Sequence, residues 1–480
     1  MSEFKSKSIE DAVHPIAPSP IEVGSTYDMI DPKAEKKLIR KMDLHIVPLI
    51  VITYILSYLD RTNIGNAKIA GMPTDIHLHG TQINLAVSIF YVTYIIFEIP
   101  ITLLVRVIGP SRLIPCILVS WSLVTAFSGF VSSPGSLIAC RLLLGMTEAA
   151  LFPILNLYVT LFWKREEIAK RAAGIFIAIA LSGAFGGLFA GALTGIDVHG
   201  YHGWRWLYFT EGIVSFCWAI ASFFLWPDSP DTAYFLNAEE KQMAKGRIEA
   251  QAKDGPFEWS QVTDAFKSPI CWLSGFIQMC ADTYNYSIST FLPTIIKGLG
   301  YTSKQTQYHT IPIYLVGAVA FFGFAWLADR TQRRAPIMLF FPLFTMLGYA
   351  ILLGWNVAPG AKYFACFLIV TFGSVLPGLN ITWLNGNMGP RYKRATALAM
   401  NQTIGNFGGI ICGQIYLDKE SPRFVTGQAV ALSCCCLSWS GVWVMWWMLK
   451  ARNDKRDEMV QAGQEDTGKG DESIYFRYQL

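Results

Sequence analysis

Long apolar stretches recur along the chain and constrain its fold more than any other feature. A helix needs about 20 mostly apolar residues to cross the hydrocarbon core of a bilayer. A window of that length finds twelve candidates in the 480 residues, six on each side of a charged stretch at 227–268. The candidate spans lie at 46–66, 82–105, 113–132, 136–162, 172–196 and 206–226, and then at 270–296, 308–328, 336–355, 363–388, 395–417 and 426–449. The sequence therefore predicts an all-α membrane protein with twelve transmembrane helices in two six-helix halves.

The composition agrees with a membrane location and excludes several function classes. Hydrophobic residues make up 52% of the chain and charged residues only 15%, which is too apolar for an ordinary soluble protein. The net charge is +4, and the basic residues form short separate clusters rather than the stripe that binds nucleic acid. We find no glycine-rich phosphate loop, paired-cysteine metal spacing or serine-nucleophile motif. We therefore expect no enzyme activity, no cofactor, no metal and no nucleic-acid partner.

The distribution of lysine and arginine predicts the orientation. Alternate short loops hold sixteen of these residues on one side and seven on the other, and basic residues accumulate on the cytoplasmic side. Both termini and the connector at 227–268 are therefore expected in the cytosol. Residues 1–44 are polar and predict a disordered cytosolic tail, 45–226 and 269–449 form the two halves, and 450–480 form a cytosolic C-terminal tail.

Two opposite charges interrupt the first span, in "ILSYLDRTNIGNAK". A charged side chain at the centre of an inserted helix costs about 2.5 to 3.5 kcal/mol, so Asp60 and Arg61 are candidates for a functional site. Helical spacing puts Arg61 on one face with Tyr58, and Asp60 on another with Asn63. The alternatives are that Asp60 and Arg61 form the outer end of the helix and reach the lipid headgroups, or that they form a neutralised structural pair.

The fourth span carries a second set of polar residues, in "CRLLLGMTEAALFP". Arg141, Gly145 and Glu148 fall on one stripe of the helix. Glu148 lies near the middle of the span, where it cannot reach a headgroup, and a carboxyl group there can exchange a proton when nearby charges change. Arg141 is equally explained as a brace between helices. We expect a structural role for Glu98, because Pro100 predicts a kink beside it.

Polar residues also interrupt the spans of the second half. The stretches "CADTYNYSIST", "PGLNITWLNGNMG" and "NQTIGNFGGIICG" are rich in asparagine and glycine, which favours broken or closely packed helices around a substrate pathway. Close packing alone is the alternative. The candidate substrate contacts are Arg61, Arg141, Tyr91, Tyr94, Tyr284, Asn285, Asn380 and Asn401.

Two halves with polar residues near the membrane midplane are typical of secondary transporters that work by alternating access. We expect a monomer that handles a small molecule in a lipid bilayer. An exporter of a metabolite or drug, a nutrient receptor without flux and an integral membrane enzyme are the alternatives. An enzyme would need clustered acid, base or metal-binding groups, and the ionisable residues here are spread over separate helices.

Several motifs resemble a known family. "SYLDRTNIGNA", "RLLLGMTEAALFP", "GWRWLYFTEG" and "PDSPDTAYFL" resemble the anion:cation symporter family of the major facilitator superfamily, and more narrowly its fungal allantoate permease branch. The resemblance implies proton-coupled uptake of a small carboxylate, such as allantoate, nicotinate, pantothenate or biotin, at the plasma membrane. It also implies that Asp60 and Glu148 couple protons, that Arg61 pairs with the substrate carboxylate, and that Arg141 matches a basic residue of the family.

A cytosolic gate is implied by a further motif. "AWLADRTQRR" resembles the loop signature between the second and third helices of a half, in which Asp329, Arg330 and Arg334 would form a charge lock against a neighbouring helix end. The corresponding stretch of the first half, "EIPITLLVRVIGPSR", lacks the aspartate. The lock is therefore expected in the second half.

Overall fold

The computed structural model describes residues 31–198, 200–249, 258–331, 333–466, 468 and 470–480. The first half contains α1 (Pro32–Ile69), α2 (Met72–Asp75), α3 (Gln82–Ile108), α4 (Pro110–Ser128), α5 (Pro134–Glu148), α6 (Leu151–Phe162), α7 (Arg165–Leu193) and α8 (Gly203–Leu225). The connector carries α9 (Ala238–Glu249) and α10 (Trp259–Lys267). The second half contains α11 (Pro269–Lys297), α12 (Ser303–Thr331), α13 (Arg334–Phe340), α14 (Pro342–Leu353), α15 (Pro359–Gly373), α16 (Val375–Asn387), α17 (Arg391–Ile415) and α18 (Val425–Gln461).

Nine helical segments of the described chain are long and apolar enough to cross a membrane. The other three predicted spans coincide with α7, α11 and α17, which are not among those nine. Polar side chains in the interior lower the hydropathy of such helices: Gln278 and Asp282 on α11 are both buried. The twelve-span count therefore stays a prediction, whereas the predicted helical fold is confirmed by the comparisons reported below.

The N-terminal tail is shorter than predicted. Helix α1 begins at Pro32, where the Asp31 side chain accepts a hydrogen bond from the Lys33 amide, an arrangement that favours a helix start. Leu38 and Met42, one turn apart, are buried and extend the apolar face of the helix. Residues 32–44 are therefore helical, and the rest of the predicted tail, up to residue 30, lies outside the described residues.

The C-terminal segment packs on the second half. Helix α18 continues past the predicted end of the last span, and the residues after it return to the bundle. The Lys393 ammonium donates to both carboxylate oxygens of Asp471 at 2.9 and 3.0 Å, and Asp471 is buried. The Trp383 indole and the Asn387 amide donate to the carbonyl of Gln479. The end of the bundle that holds this segment and the start of α1 is called the terminal face, and the opposite end the distal face.

An ionic network on the terminal face ties the connector to the first half. The Arg247 side chain of α9 is fully buried and donates from Nε to Glu35 at 2.7 Å and from Nη2 to Glu167 at 2.5 Å. Lys164 also donates to Glu35, at 2.8 Å. The connector helix therefore links the start of α1 to the start of α7.

The two halves meet at the distal face. Lys68 and Asp418 form an ion pair of 2.5 Å across it, and Asn84 donates to the carbonyls of Gly413 and Tyr416 at 2.7 and 2.8 Å. Gly65 lies so close to the Thr290 carbonyl that there is no room for a Cβ atom. Direct backbone contact of this kind needs glycine, and it brings α1 against α11.

The ionic network generates a testable pH dependence. Hydrogen bonds from Lys164 and Arg247 hold the pKa of the Glu35 carboxyl below its ordinary value. Because the folded-state pKa is the lower one, the network stabilises the fold above the ordinary glutamate pKa, and this contribution is lost as the pH falls through the folded-state pKa. We expect Glu35→Gln to lower the unfolding temperature at about pH 7 and to flatten its dependence on acid pH.

The measurement is thermal unfolding of the purified protein in detergent across the acid range. Glu239→Gln is the matched control, since Glu239 is exposed on α9, and it should behave like the wild type. An acid dependence of Glu35→Gln that equals that of the wild type would contradict the assignment.

Candidate functional site

A cavity lies between the two halves. It is lined by α1, α3, α6 and α7 on one side and by α11, α12, α15, α16 and α17 on the other. It offers about 90 Å³ to the centres of water-sized molecules, which is room for several waters at about 10–15 Å³ each and so for a small organic molecule. Its polar lining residues are Tyr54, Tyr58, Arg61, Tyr94, Glu98, Gln278, Asp282, Asn285, Tyr286, Ser289, Tyr314, Ser374, Gln402 and Asn406.

A buried ion pair forms the wall of the cavity in the first half. Arg61 of α1 donates from Nη2 to Glu148 Oε1 of α5 at 2.9 Å, and the two side chains are 8% and 1% exposed. The Ser57 hydroxyl donates to the same carboxylate oxygen. Arg61 lines the cavity and Glu148 does not. The carboxylate therefore lies behind the guanidinium as seen from the cavity.

Aromatic rings surround the Arg61 guanidinium. Its central carbon lies 5.7, 5.3 and 5.1 Å from the ring centres of Tyr58, Phe90 and Tyr94, within the range of cation–π attraction. The Arg61 Nε is buried and has no hydrogen-bond partner among the described residues. The aromatic rings therefore stabilise the part of the guanidinium that does not contact Glu148. Its Nε–H group is a hydrogen-bond donor without a partner among the described residues.

Close packing of α3 on α5 brings two of these rings to Arg61. A Cβ atom at Gly145 would collide with the carbonyl of Phe90 and the hydroxyl of Thr93. Gly145, which was predicted to share a helix face with Glu148, therefore lets α3 lie directly against α5. This contact positions Phe90 and Tyr94 beside the ion pair.

The opposite wall carries carboxyl and amide groups. Gln278 donates to both oxygens of Asp282 at 3.1 Å. Asn406 donates to Glu98 of the first half at 3.3 Å, and the Tyr286 hydroxyl donates to Asn406 Oδ1 at 3.4 Å. Neither Glu98 nor Asp282 forms an ion pair within the described parts of the chain. Arg61 is therefore the basic group of the cavity lining, and carboxyl, amide and hydroxyl groups face it from the other side.

Three of the predicted site residues line the cavity, namely Arg61, Tyr94 and Asn285. Tyr91 lies just behind the lining, where its ring packs on Tyr286 with centres 5.1 Å apart. Glu148 reaches the cavity only through Arg61. The structure thus brings together residues from α1, α3, α5 and α11, which are distant in the sequence.

The other predicted substrate contacts lie outside this cavity lining. Tyr284 is fully buried against Tyr349, whose hydroxyl donates to its carbonyl. Asn380 and Asn401 both donate to the Ser274 carbonyl, at 3.0 and 3.1 Å, and join three helices of the second half. The amides of Asn380 and Asn401 therefore contribute to helix packing, the alternative that the sequence analysis gave for these asparagine-rich stretches.

Arg141 and Asp60 lie on the side of the first half away from the cavity. Arg141 donates to the Tyr208 hydroxyl at 3.2 Å, which agrees with a brace between α5 and α8. Asp60 is 1% exposed and faces Trp121 and Thr125 of α4 and Glu211 of α8. Asp60 and Arg61, adjacent in sequence, therefore belong to two different polar regions.

Sequence reasoning did not include three buried carboxyl groups of these two polar regions among the site residues. Asp282 and Glu98 both line the cavity, although Glu98 was expected to be structural. Glu211 was passed over among the aromatic residues of "GWRWLYFTEG". An acidic residue inside an apolar span is itself a signal of function, and it would have identified all three.

The predicted gate residues lie at the terminal end of α12 and the start of α13. Arg334 donates to the Thr382 carbonyl at 2.8 Å and to Gln479 at 2.7 Å, so it contacts a neighbouring helix and the C-terminal segment. Arg330 is exposed, 5.2 Å from the ring centre of Trp326. The side chain of Asp329 lies outside the described residues.

Comparison with known proteins identifies the family. The family model of the Major Facilitator Superfamily matches residues 50–413. The chain belongs to this superfamily. A Schizosaccharomyces pombe protein named as an uncharacterised transporter is 43% identical over 484 residues, covering 100% of this chain and 96% of its own. The high-affinity nicotinic acid transporter of Saccharomyces cerevisiae is 35% identical over 429 residues, covering 89% of this chain and 80% of its own.

Solved structures share the fold. A D-xylose-proton symporter matches with a TM-score of 0.65 at 14% identity, covering 84% of this chain and 97% of that one. A bacterial homologue of the human lysosomal transporter Spinster, in an inward-facing state, matches at 0.63 and 15%, covering 83% and 96%. The family match and the relatives named as transporters show that this major facilitator protein is a multi-pass membrane transporter and not an enzyme, as predicted.

A double-mutant cycle tests the energetics of the buried ion pair. Glu148→Leu alone leaves the Arg61 charge buried without its acid, which typically costs about 3–5 kcal/mol of stability. Arg61→Met combined with Glu148→Leu should lose less than the sum of the single variants, because no uncompensated charge remains. The measurement is the free energy of unfolding in detergent.

The pair of Arg171 and Asp43 on the terminal face provides the control. It is also short, at 2.8 Å, but Asp43 is 36% exposed, so its coupling energy should stay within about 1 kcal/mol. Equal coupling energies for the two pairs would contradict the view that burial makes the Arg61–Glu148 pair the stronger constraint.

Proposed function

We propose that this transporter carries a small organic anion with a carboxylate group across the membrane together with a proton. The observation that carries the proposal is the position of Arg61, which presents a guanidinium to the cavity while its acid, Glu148, lies behind it. Arginine suits this task because its planar fork binds a carboxylate through two hydrogen bonds and stays charged.

Competition for Arg61 couples the anion to the proton. An entering carboxylate replaces Glu148 as the partner of the guanidinium. Glu148 is then a buried carboxylate without a cation, which is costly in a bilayer interior, and it takes up a proton. When the anion leaves, Glu148 pairs with Arg61 again and releases the proton. The site therefore binds the anion and the proton together and releases them together.

The contacts between the halves indicate from which side of the membrane the cavity is reached. An ion pair, hydrogen bonds and glycine contacts close the distal face, so we infer that the cavity is reached from the terminal face. The excess of basic residues supports a cytosolic position for this face. On this proposal, the structure corresponds to an inward-facing state, in which the anion and the proton are released to the cytosol. We further propose that Asp329, Arg330 and Arg334 gate this side, supported by the contact of Arg334 with α16.

The size and chemistry of the cavity favour a compact, partly aromatic carboxylate. Tyr54, Tyr58 and Tyr94 offer ring faces beside Arg61, and Asn285 and Gln402 offer hydrogen bonds opposite it. The S. cerevisiae relative is named for nicotinic acid, which is a compact aromatic carboxylic acid. We therefore propose nicotinate or a related carboxylate, imported at the plasma membrane by a monomer of the allantoate permease branch.

Arg61→Lys tests whether the Arg61 guanidinium binds the carboxylate of the substrate. Lysine keeps the charge but lacks the fork, and one hydrogen bond to a charged group is worth about 1.5–3 kcal/mol, so affinity for nicotinate should fall at least about tenfold. Equilibrium binding of labelled nicotinate to the purified protein measures it. Arg205→Lys is the matched control, because Arg205 pairs with Asp75 at 3.0 Å outside the cavity. Unchanged affinity in Arg61→Lys would contradict the proposal.

Glu148→Gln tests the proton coupling. Glutamine cannot exchange the proton, so the variant should still bind nicotinate and exchange it across the membrane, but an inward proton gradient should no longer drive accumulation. Uptake into proteoliposomes with and without the gradient is the measurement. Glu239→Gln, on the exposed face of the connector, should accumulate nicotinate like the wild type. Gradient-driven accumulation that persists in Glu148→Gln would rule out this coupling role.

A further inference from the structure

A chain of hydrogen-bonded side chains runs through the second half and ends at the cavity. Asn401 of α17 donates to the Ser274 hydroxyl at 2.9 Å, and this hydroxyl donates to Asn380 Oδ1 at 3.1 Å. Asn380 donates to Gln278 Oε1 at 3.0 Å. Gln278 then donates from Nε2 to both carboxylate oxygens of Asp282 at 3.1 Å. Each member therefore gives a hydrogen to the next, and Asp282 is the last acceptor.

The protein encloses this chain and opens it only at its acidic end. The three residues that begin the chain are fully buried, whereas Gln278 and Asp282 are 2% and 7% exposed and line the cavity. A Cβ atom at Gly405 of α17 would lie 2.7 Å from Asp282 Oδ2. A glycine thus leaves the space that the carboxylate group occupies between α11 and α17.

The carboxylate group of Asp282 has accepting capacity that the protein does not use. Its two oxygens offer about four lone-pair sites, and one amide group supplies the donors that reach them. Buried acids are ordinarily paired with a cation, but Asp282 forms no ion pair within the described residues. Arg61, the basic residue of the cavity lining, donates to Glu148 instead.

The two sides of the cavity are chemically complementary to one kind of molecule. Arg61 of the first half has an unpartnered donor at Nε, and Asp282 of the second half has free acceptor sites. A molecule with a carboxylate at one end and a nitrogen-bound hydrogen at the other would satisfy both. Hydrogen bonds from a cationic nitrogen to a carboxylate are also about twice as strong as neutral ones.

We propose that Asp282 forms a second subsite of the cavity, which binds a nitrogen-bound hydrogen of the substrate and so selects amphoteric carboxylates over plain ones. The proposal rests on the proposed function, because it takes Arg61 to hold the carboxylate end of the same molecule. Nicotinate meets the requirement when its ring nitrogen carries a proton, which then lies between that nitrogen and the Asp282 carboxylate. Asn401, Ser274 and Asn380 are positioning residues, since they orient the Gln278 amide toward Asp282.

The subsite selects by rejection as well as by attraction. A site built to hydrogen-bond a substrate group discriminates strongly against an analogue without it, because the buried protein group is then left without its partner. A substrate with a second carboxylate would place another acceptor against Asp282. The cavity should therefore disfavour both apolar-ended carboxylates and dicarboxylates.

Three small probes test the subsite in the wild type by equilibrium binding to the purified protein. Nicotinate has both groups, benzoate has the carboxylate without the ring nitrogen, and 3-methylpyridine has the nitrogen without the carboxylate. Nicotinate should bind at least about tenfold more tightly than either of the others, which is about 1.4 kcal/mol. Equal affinity for nicotinate and benzoate would overturn the subsite and leave the proposed function standing.

The same measurement separates the two proposals in the other direction. Equal affinity for nicotinate and 3-methylpyridine would show that no carboxylate is held at Arg61, so the proposed function would fail. If none of the three probes binds, both proposals fail.

Asp282→Leu assigns the selectivity to this residue. The preference for nicotinate over benzoate, taken as the ratio of their dissociation constants, should fall to within about twofold of equality, because leucine offers no acceptor. A purely structural role would weaken the binding of both ligands alike and would leave the ratio unchanged. Asp282→Asn serves if the leucine variant does not fold. It keeps the size of the side chain but not its charge, so the ratio should fall at least about threefold.

Glu98→Gln is the matched control. Glu98 is the other acid of the cavity lining without an ion pair among the described residues, but it lies in the same half as Arg61 and accepts a hydrogen bond from Asn406 at 3.3 Å. The variant should keep the wild-type ratio, whatever its effect on the two affinities. A ratio that stays at the wild-type value in the folded Asp282 variants, or that is lost in Glu98→Gln instead, would overturn the proposal.

Discussion

The burial of one guanidinium in an apolar bundle is the constraint on which the site depends. Arg61 can lie there only because Glu148 neutralises it at 2.9 Å and three aromatic rings surround it. These partners come from helices that must pack closely, and Gly145 permits that packing. The packing of α1, α3 and α5 therefore depends on the pairing of Arg61, since an unpaired charge in such a site costs several kcal/mol.

The two halves contribute unequal chemistry to the cavity. The first half supplies the cation and most of the aromatic surface, and the second half supplies amides, hydroxyl groups and Asp282. A ligand held by Arg61 and by groups of α11 or α17 would contact both halves.

One helix serves both polar regions of the first half. Arg61 faces the cavity while Asp60 faces α4 and α8, because consecutive helical residues point in different directions. The terminal face is built differently, from Arg247, Glu35 and Lys164 near water, where ion pairs cost less to form. The interior of the first half thus holds its charged groups in two buried polar regions, and charged groups at the terminal face connect structural segments.

The sequence by itself determined the helical membrane fold, and it predicted two halves with a connector and a role for Arg61 and Glu148. These follow from apolar run length and from the cost of intramembrane charge, both of which are local properties. It also indicated Tyr94 and Asn285, which line the cavity. Only the tertiary structure decided that Asp60 lies outside the cavity lining and that Asn380 and Asn401 join helices. Which side chains face one another depends on the rotation and contacts of helices far apart in the chain, and periodicity within one helix does not contain that information.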